Sequence, residues 1–273
     1  MKSNIIYIGT SPSIIDAIKS NNNFELNTVI CEQKRVSKLY EQKVNKYKLN
    51  LLTFQSKKEF VSIIEASEEE IALIYQLDLI VPHELTAKFQ MFNFHSGSVK
   101  TNRGAHPILR TILNNEKKSE FTLHKINEKI DQGILISKFN IDVNFSDDVN
   151  DIKFKMEQGF ETMFDDLILY FKGKLPVESI KDGTYYNPVS EKDYTIDCLF
   201  DSTTQIKNKI RSQKLYSGAI LIHNNYKYYV KELFDQKNTS SKVPQMRMVN
   251  DIAFIERANI SFKLKLEKFN EVD

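Results

Sequence analysis

Cysteine is scarce: Cys31 and Cys198 are the only two in 273 residues. Two thiols in so long a chain exclude a disulfide framework, and they read as buried or reduced thiols of a protein kept inside the cell. Long apolar runs are missing as well. None approaches the roughly 20 residues that a bilayer-crossing helix needs, so membrane insertion is not expected. The N-terminus, Met1-Lys-Ser-Asn4 followed by a short apolar strand ending at Gly9, lacks the length and cleavage pattern of a secretory signal, which points to a cytoplasmic location. An excess of charge of one sign is absent too. Charged residues make up 27% of the chain but leave a net charge of only +2. Without a strong global field, a nucleic-acid partner is disfavoured.

Several chemical signatures are also lacking. Gly9-Thr10-Ser11-Pro12 opens a helix after the first strand, yet it is not G-x-G-x-x-G, and no P-loop lysine follows, which argues against NAD and ATP. His83, His95, His106, His124 and His223 form no i, i+4 pair and no close cluster with cysteine, so no metal cofactor is expected. Four of the five read as ordinary histidines; His95 alone stands in a context that asks for more. There is no internal repeat and no low-complexity tract.

What is present is an alternation of strand and helix patterns. Asn4 to Gly9 is a continuous β-rich run, followed by a helical pattern through Ile14, Ile15 and Ile18. Thr28 to Cys31 reads as a second strand, residues 36–47 and 56–67 as helices, and Ile71 to Tyr75 as a third strand. Such alternation implies a mostly parallel, Rossmann-like α/β sheet. Met91 to Phe94 continues it, Ala105 to Leu113 reads as a helix, and Glu120 to Ile141 as two strands around Asp131-Gln-Gly133. Ser146 is placed to cap a long helix with Asp147 and Asp148 in its first turn and Ile152, Met156, Phe160, Phe164, Leu167 and Phe171 on its core face.

Between Lys172 and Asp193 glycine, proline and scattered charges give the texture of a domain connection. The expected division is a catalytic domain over residues 1–188 and a small α+β or open-barrel domain over 189–273. The second carries a helix near residues 202–212 and strands at 219–223, 226–233 and twice after 247, with Asn224-Asn225 as a hairpin turn.

Asn93-Phe-His95 puts two polar side chains on one side of a strand end, because strand side chains alternate with period 2, while Phe92 and Phe94 face the core. Polar groups at the C-terminal end of a parallel strand lie where open α/β sheets bind ligands. Downstream come Asn102-Arg-Gly-Ala-His-Pro107 and, 36 residues after His95, Asp131-Gln-Gly133.

This ordered set resembles the folate-dependent formyltransferases, which include methionyl-tRNA formyltransferase, glycinamide ribonucleotide transformylase and the sugar N-formyltransferases. Their signature reads N-x-H-P-S-L-L-P-x-Y-R-G-x-x-P and then D-x-G. Further similarity lies in Gly9-Thr10, in Tyr75 to Pro82, in Gly183-Thr-Tyr185, and in the tail at Thr195-Ile-Asp197, Ile210-Arg211 and Gly218-Ala219. Nearly the whole chain is covered. The chain departs from the signature at Ser96, where proline is usual, at Gly97-Ser98-Val99-Lys100 in place of Ser-Leu-Leu-Pro, and at Asn102 in place of tyrosine.

The resemblance implies N10-formyltetrahydrofolate as co-substrate and Asn93, His95 and Asp131 as the catalytic trio. Formyl transfer to an amine passes through a tetrahedral intermediate with a negative oxygen. Asn93 can donate to that oxygen, His95 can take a proton or stabilise charge, and Asp131 can orient and tune the imidazole. Which group takes the amine's proton stays open.

The resemblance assigns Gln76, Leu79, Ile80, Val81 and Pro82 to the folate segment. Gly133 would let the backbone approach the pterin, although a plain turn would use it equally well. Thr10 and Ser11 either offer a phosphate a helix N-terminus or act as a simple cap. Arg103, with Gly104, either orients an anionic part of the acceptor or is a structural arginine.

Among acceptors, the resemblance favours a nucleotide-linked amino deoxysugar, a dTDP-4-amino or 3-amino sugar for surface polysaccharide such as lipopolysaccharide O-antigen, acted on by a homodimer. The roughly 85-residue tail argues against the ribonucleotide enzyme, and the altered proline-rich loop argues against the tRNA enzyme. The alternatives are methionyl-tRNA formyltransferase and a non-catalytic nucleotide-sugar or folate sensor.

Overall fold

A computed structural model describes residues 2–127, 131, 133–180, 182–239, 245–257 and 259–268. The chain divides into two compact units. The first comprises Met1–Gly104, Lys118–Ile141 and Phe154–Tyr186; the second comprises Ala105–Lys117, Asp142–Lys153 and Asn187–Asp273.

In the first unit β1 (Ser3–Gly9), α1 (Ser13–Ser20), β2 (Phe24–Glu32), α2 (Lys38–Tyr47), β3 (Asn50–Phe54), α3 (Lys57–Glu65), β4 (Ile71–Tyr75), α4 (His83–Lys88) and β5 (Gln90–His95) follow one another. Strand β1 pairs in parallel with β2 and β4, β2 with β3, and β4 with β5. Ile5, Ile6, Tyr7 and Ile8 are all fully buried, as an unbroken apolar run must be when helices cover both faces of a parallel sheet. Ile71–Tyr75 is the fourth strand rather than the third: β3, short and at the sheet edge, escapes the sequence pattern.

After β6 (Arg103–Gly104) and α5 (Pro107–Leu113) come β7 (Lys118–Ile126) and β8 (Gly133–Asp142). Strand β7 lies antiparallel beside β5, and the eight-stranded order is β3-β2-β1-β4-β5-β7-β8, closed by β9 (Glu178–Ile180). The sheet is thus parallel in its first half only. The expected long helix is two: α6 (Val149–Glu157) and α7 (Phe160–Phe171). They separate at Gly159, where a β carbon would stand 2.6 Å from Cγ of Phe139. The expected cap at Ser146 is also displaced. Oδ1 of Asp148 accepts from the N–H groups of Asn150 and Asp151 at 2.9 and 3.1 Å, and Asp151 answers by accepting from the Asp148 N–H. A carboxylate both caps the orphan N–H groups and meets the positive end of the helix dipole, which a hydroxyl does more weakly.

Phe94, Phe121, Phe160 and Phe164 form an aromatic core under β5, with Phe94 5.9, 5.5 and 5.8 Å from the other three ring centres. Phe92 packs on Tyr170 and Phe171. The core thereby holds one face of β5 rigid and commits Asn93 and His95 to the other.

β10 (Tyr185–Tyr186) pairs in parallel with β6. In the second unit, α8 (Glu191–Tyr194) and α9 (Thr203–Ser212) precede an antiparallel half-barrel of β11 (Ala219–His223), β12 (Tyr226–Asn238), β13 (Gln245–Val249), β14 (Ile252–Arg257) and β15 (Ile260–Lys268), ordered β11-β12-β15-β14-β13. Asn224 and Asn225 turn the first hairpin with φ of 50° and 66°, as a two-residue type I′ turn requires. Ile206 of α9 packs with Leu221, Val230, Ile255, Phe262 and Leu264. Both thiols are buried and unpaired. Among the described residues no helix is long and apolar enough to cross a membrane.

Candidate active site

Strand β5 ends at His95, and the antiparallel register of β7 sets His124 opposite Asn93 and Thr122 opposite His95. Period-2 alternation then gathers Asn93, His95, Thr122 and His124 on one face. Asp131 enters from the turn between β7 and β8 with a left-handed φ of 49°. Its Oδ1 lies 3.5 Å from Nδ1 of His95 and 3.6 Å from Nε2 of His124. Nδ2 of Asn93 is 3.2 Å from that same Nε2 of His124. The three side chains singled out from sequence therefore converge, and a fourth, His124, ties the other two to Asn93. Reading it as an ordinary histidine misses this. Its only signal is its spacing of two from Thr122, because the strand order that brings it to Asn93 is not written locally.

Backbone groups complete the cluster. Nε2 of His95 stands 2.8 Å from the carbonyl oxygen of Asn102. The N–H of Gly104 donates to Oδ2 of Asp131 at 2.7 Å. The carbonyl and the carboxylate both only accept, but the carbonyl lies at hydrogen-bonding distance from Nε2 whereas the carboxylate stands 3.5 Å from Nδ1, so the hydrogen of the neutral ring is assigned to Nε2 and Nδ1 is left facing Asp131. Burial lowers the His95 pKa, with Asp131 and the Asn102 carbonyl opposing and His124 adding to it. Burial alone would raise the Asp131 carboxyl, but His95, His124 and the Gly104 N–H outweigh it and hold it well below the usual carboxylate range. At neutral pH the pair is a carboxylate beside an imidazole able to accept one proton.

Arg103 is buried, and its guanidinium donates through Nη2 to the Gly183 carbonyl. Its Nε and Nη1 are buried with no hydrogen-bond partner among the described residues. Orphaned guanidinium donors are costly to leave unmade, so this arginine is suited to an anion. Gly104, at φ 98°, leaves no room for a side chain, since a β carbon would meet the Tyr186 carbonyl at 2.3 Å.

The other named residues divide by position. Gln76 follows β4 with φ of 59°, and its carbonyl accepts from Oγ1 of Thr10 at 3.3 Å. Leu79 and Val81 pack against the core cluster of Ile8, Ile74 and Leu85, whereas Ile80 is 65% exposed. Pro82 precedes α4 at its N-cap. This alternation leaves the backbone of residues 79–82 and the Ile80 side chain as the faces that can meet a ligand. Gly133 is demanded by the fold itself: at φ 124° its β carbon would lie 2.2 Å from the Lys125 carbonyl. Ser11 is fully buried. Its N–H donates to the Tyr7 hydroxyl, and its own hydroxyl bonds Ser13 and Glu157. Pro12, not Ser11, is the N-cap of α1. Ser11 thus spends its donors within the fold, and Thr10 is the half-buried neighbour. Among the described residues no group of His, Cys, Asp and Glu is arranged to hold a metal ion.

A sequence model described as formyl transferase matches residues 4–164. The methionyl-tRNA formyltransferase of Pelagibacter ubique is 24% identical over 271 residues, covering 92% of this chain and 86% of that one. An N-formyltransferase of Helicobacter canadensis, solved with folinic acid and dTDP-3-aminofucose, superposes with a TM-score of 0.68 at 18% identity, covering 98% of this chain and 100% of that one. HypX of Aquifex aeolicus superposes at 0.70 with 13% identity, over 99% of this chain and 45% of that one. The chain belongs to the folate-dependent formyl transferase family. Within it, this is an N-formyltransferase enzyme.

Proposed function

We propose that the enzyme moves the formyl group of N10-formyltetrahydrofolate to the amine of a nucleotide-linked amino deoxysugar, a dTDP-4-amino or 3-amino sugar, in the making of surface polysaccharide. The observation that carries the transfer chemistry is the convergence of Asn93, His95 and Asp131 around one face of the β5 end.

The amide of Asn93 has two donor hydrogens. One faces His124, and the other serves the oxygen that turns negative as the amine attacks, a contact expected to be worth about 3 kcal/mol of transition-state stabilisation. His95, its Nε2–H held by Asn102, takes the amine's proton on Nδ1. The imidazolium so formed is paired with the ionised Asp131 and returns that proton to the donor nitrogen as its bond to the formyl carbon breaks, so that tetrahydrofolate leaves and His95 is neutral again. The co-substrate supplies an activated formyl carbon, and the backbone of residues 79–82, with Gln76 and Gly133, forms its cradle. Arg103, with Gly104 next to it in the chain and Thr10 just after β1, receives the acceptor's phosphates. Catalysis belongs to residues 1–188, with 189–273 as the appended domain.

The sugar acceptor is favoured by the low net charge, by the broken proline-rich loop at Ser96 to Asn102, and by the likeness over the full chain to the Helicobacter canadensis enzyme. A methionyl-tRNA acceptor is the second reading, favoured by the Pelagibacter ubique relative. Tetrahydrofolate release is the readout: the protein is incubated with the formyl donor and either amino-sugar nucleotides or methionyl-tRNA. Release with a sugar nucleotide alone supports the first reading, release with the tRNA alone replaces it, and no release with any amine removes both.

A further inference from the structure

The peptide plane joining Asn102 to Arg103 does two things at once. Its carbonyl faces Nε2 of His95 at 2.8 Å, and its N–H donates to the Thr184 carbonyl at 3.0 Å. Because the peptide is planar, these two bonds fix one another's direction. The next plane offers the Gly104 N–H to Asp131 and belongs to the same two-residue ladder, Arg103 beside Tyr185 and Gly104 beside Tyr186.

The opposing segment is itself locked. The Thr184 N–H donates to the Lys100 carbonyl at 2.9 Å, and the Gly183 carbonyl accepts from the Arg103 guanidinium. A β carbon on Gly183 would stand 2.5 Å from the Lys100 oxygen and 3.0 Å from the Val99 oxygen. Backbone oxygens cannot swing aside as a side chain can, so only glycine lets the two segments close.

We infer that the ladder between Arg103–Gly104 and Tyr185–Tyr186, anchored by Gly183 and Thr184, is a positioning device for the transfer reaction: it decides which nitrogen of His95 carries the hydrogen and where the Asp131 carboxylate points. The inference rests on the reading of His95 and Asp131 as the reacting pair. Gly183 and Thr184 are positioning residues, nearly 90 positions downstream of His95 in the chain, acting through the backbone alone. The two prolines that other members carry in the loop are missing here, and this ladder does the stiffening that fixed proline φ angles would do.

The test is nitrogen-15 NMR of the imidazoles in the full-length protein, recorded above the titration of His95. Wild type is expected to show a protonated Nε2 and an unprotonated Nδ1 at His95. Gly183→Ala is expected to populate the other tautomer and to lower kcat tenfold or more, with KM for the formyl donor changed less than about threefold. Arg103→Gln, which loses the tie to Gly183 but adds no atom to the closed segment, is expected to shift the spectrum the same way by less. Asp182→Ala, an exposed neighbour, is the control and should match wild type.

A wild-type His95 protonated on Nδ1 overturns the inference. So does a folded Gly183→Ala with the wild-type spectrum and kcat. If Gly183→Ala does not fold, an unchanged imidazole spectrum in Arg103→Gln overturns it instead. The spectra need no substrate, so a protein inactive toward every amine would remove the functional reading and leave this test standing.

Discussion

His95 is buried and Asp131 is nearly so, yet they solve burial differently. Asp131 keeps its charge because His95, His124 and a backbone N–H face it; His95 loses its charge because desolvation outweighs its carboxylate neighbour. Both pKa values are depressed relative to the unfolded chain, so both groups make stability fall as pH falls. For His95 the loss begins below about 6.5, and for Asp131 below about 3.9, the unfolded values. Asp131→Asn should therefore flatten the acid loss of Tm in the lower window, measured by thermal unfolding from pH 2 to 7. An unchanged curve would remove the carboxylate from the acid response. Because Asp131 raises the His95 pKa, the same variant should also move the acid limb of the rate profile to lower pH while lowering the rate. A limb that moves upward contradicts the assigned coupling. Asn93→Ala and His95→Ala should each reduce turnover by at least a hundredfold without changing the fold seen by circular dichroism; near-normal turnover in either sinks its role. His124→Ala should reduce kcat through the loss of the Asn93 contact, and wild-type kcat would make it a mere core histidine. Of these four residues, three are legible in the sequence, since strand alternation and the ordered D-x-G motif are local signals. His124 is not, and neither is the Asn102 carbonyl, because strand pairing and backbone acceptors leave no mark on residue type.

Elements show the same division between what is written locally and what tertiary contact decides. The apolar stripe from Ile152 to Phe171 is a correct helical period, but the helix breaks in the middle at Gly159, where Phe139 of β8 packs so closely that a β carbon has no room. Nothing within residues 146–171 announces a ring arriving from another strand. Ser146 and Asp148 are both cap residues two apart, and the choice falls to the one whose carboxylate reaches two N–H groups. Strand β3 hides for a different reason: five residues at a sheet edge, two of them exposed and one buried, carry too few alternations to stand out. The break at Gly159 has a measurable consequence. Its φ of −78° suits any residue, so the cost of Gly159→Ala is steric, on the order of 1–3 kcal/mol for an overpacked contact. Removing the ring should relieve it. In a cycle of Gly159→Ala, Phe139→Ala and the double variant, unfolding free energies should be non-additive by about 1 kcal/mol or more, the double variant being more stable than the sum of the singles. Additive values would mean that something other than Phe139 excludes the methyl.

For the molecule as a whole, the acceptor is the largest open choice, and charge bears on it directly. With 38 basic and 36 acidic side chains, the chain offers no broad positive field, and the proposed anion contact at Arg103, whose Nε and Nη1 have no partner among the described residues, is a single point rather than a track. A transfer RNA is held by many phosphates, each releasing condensed counterions; a protein making 6–10 such contacts loses about 10³–10⁵ in affinity between 50 and 200 mM salt. A sugar nucleotide brings two phosphates and no condensed sheath. Its KM should therefore rise by no more than about tenfold over that fourfold change in salt. Steady-state formyl transfer at 50, 100 and 200 mM potassium chloride, with the formyl donor saturating, measures the slope. A shallow slope together with turnover on an amino-sugar nucleotide fits recognition by one buried arginine, and Arg103→Gln should then raise KM for that nucleotide while flattening the slope further. A steep slope with methionyl-tRNA would mean that many exposed lysines, and not Arg103, hold the acceptor.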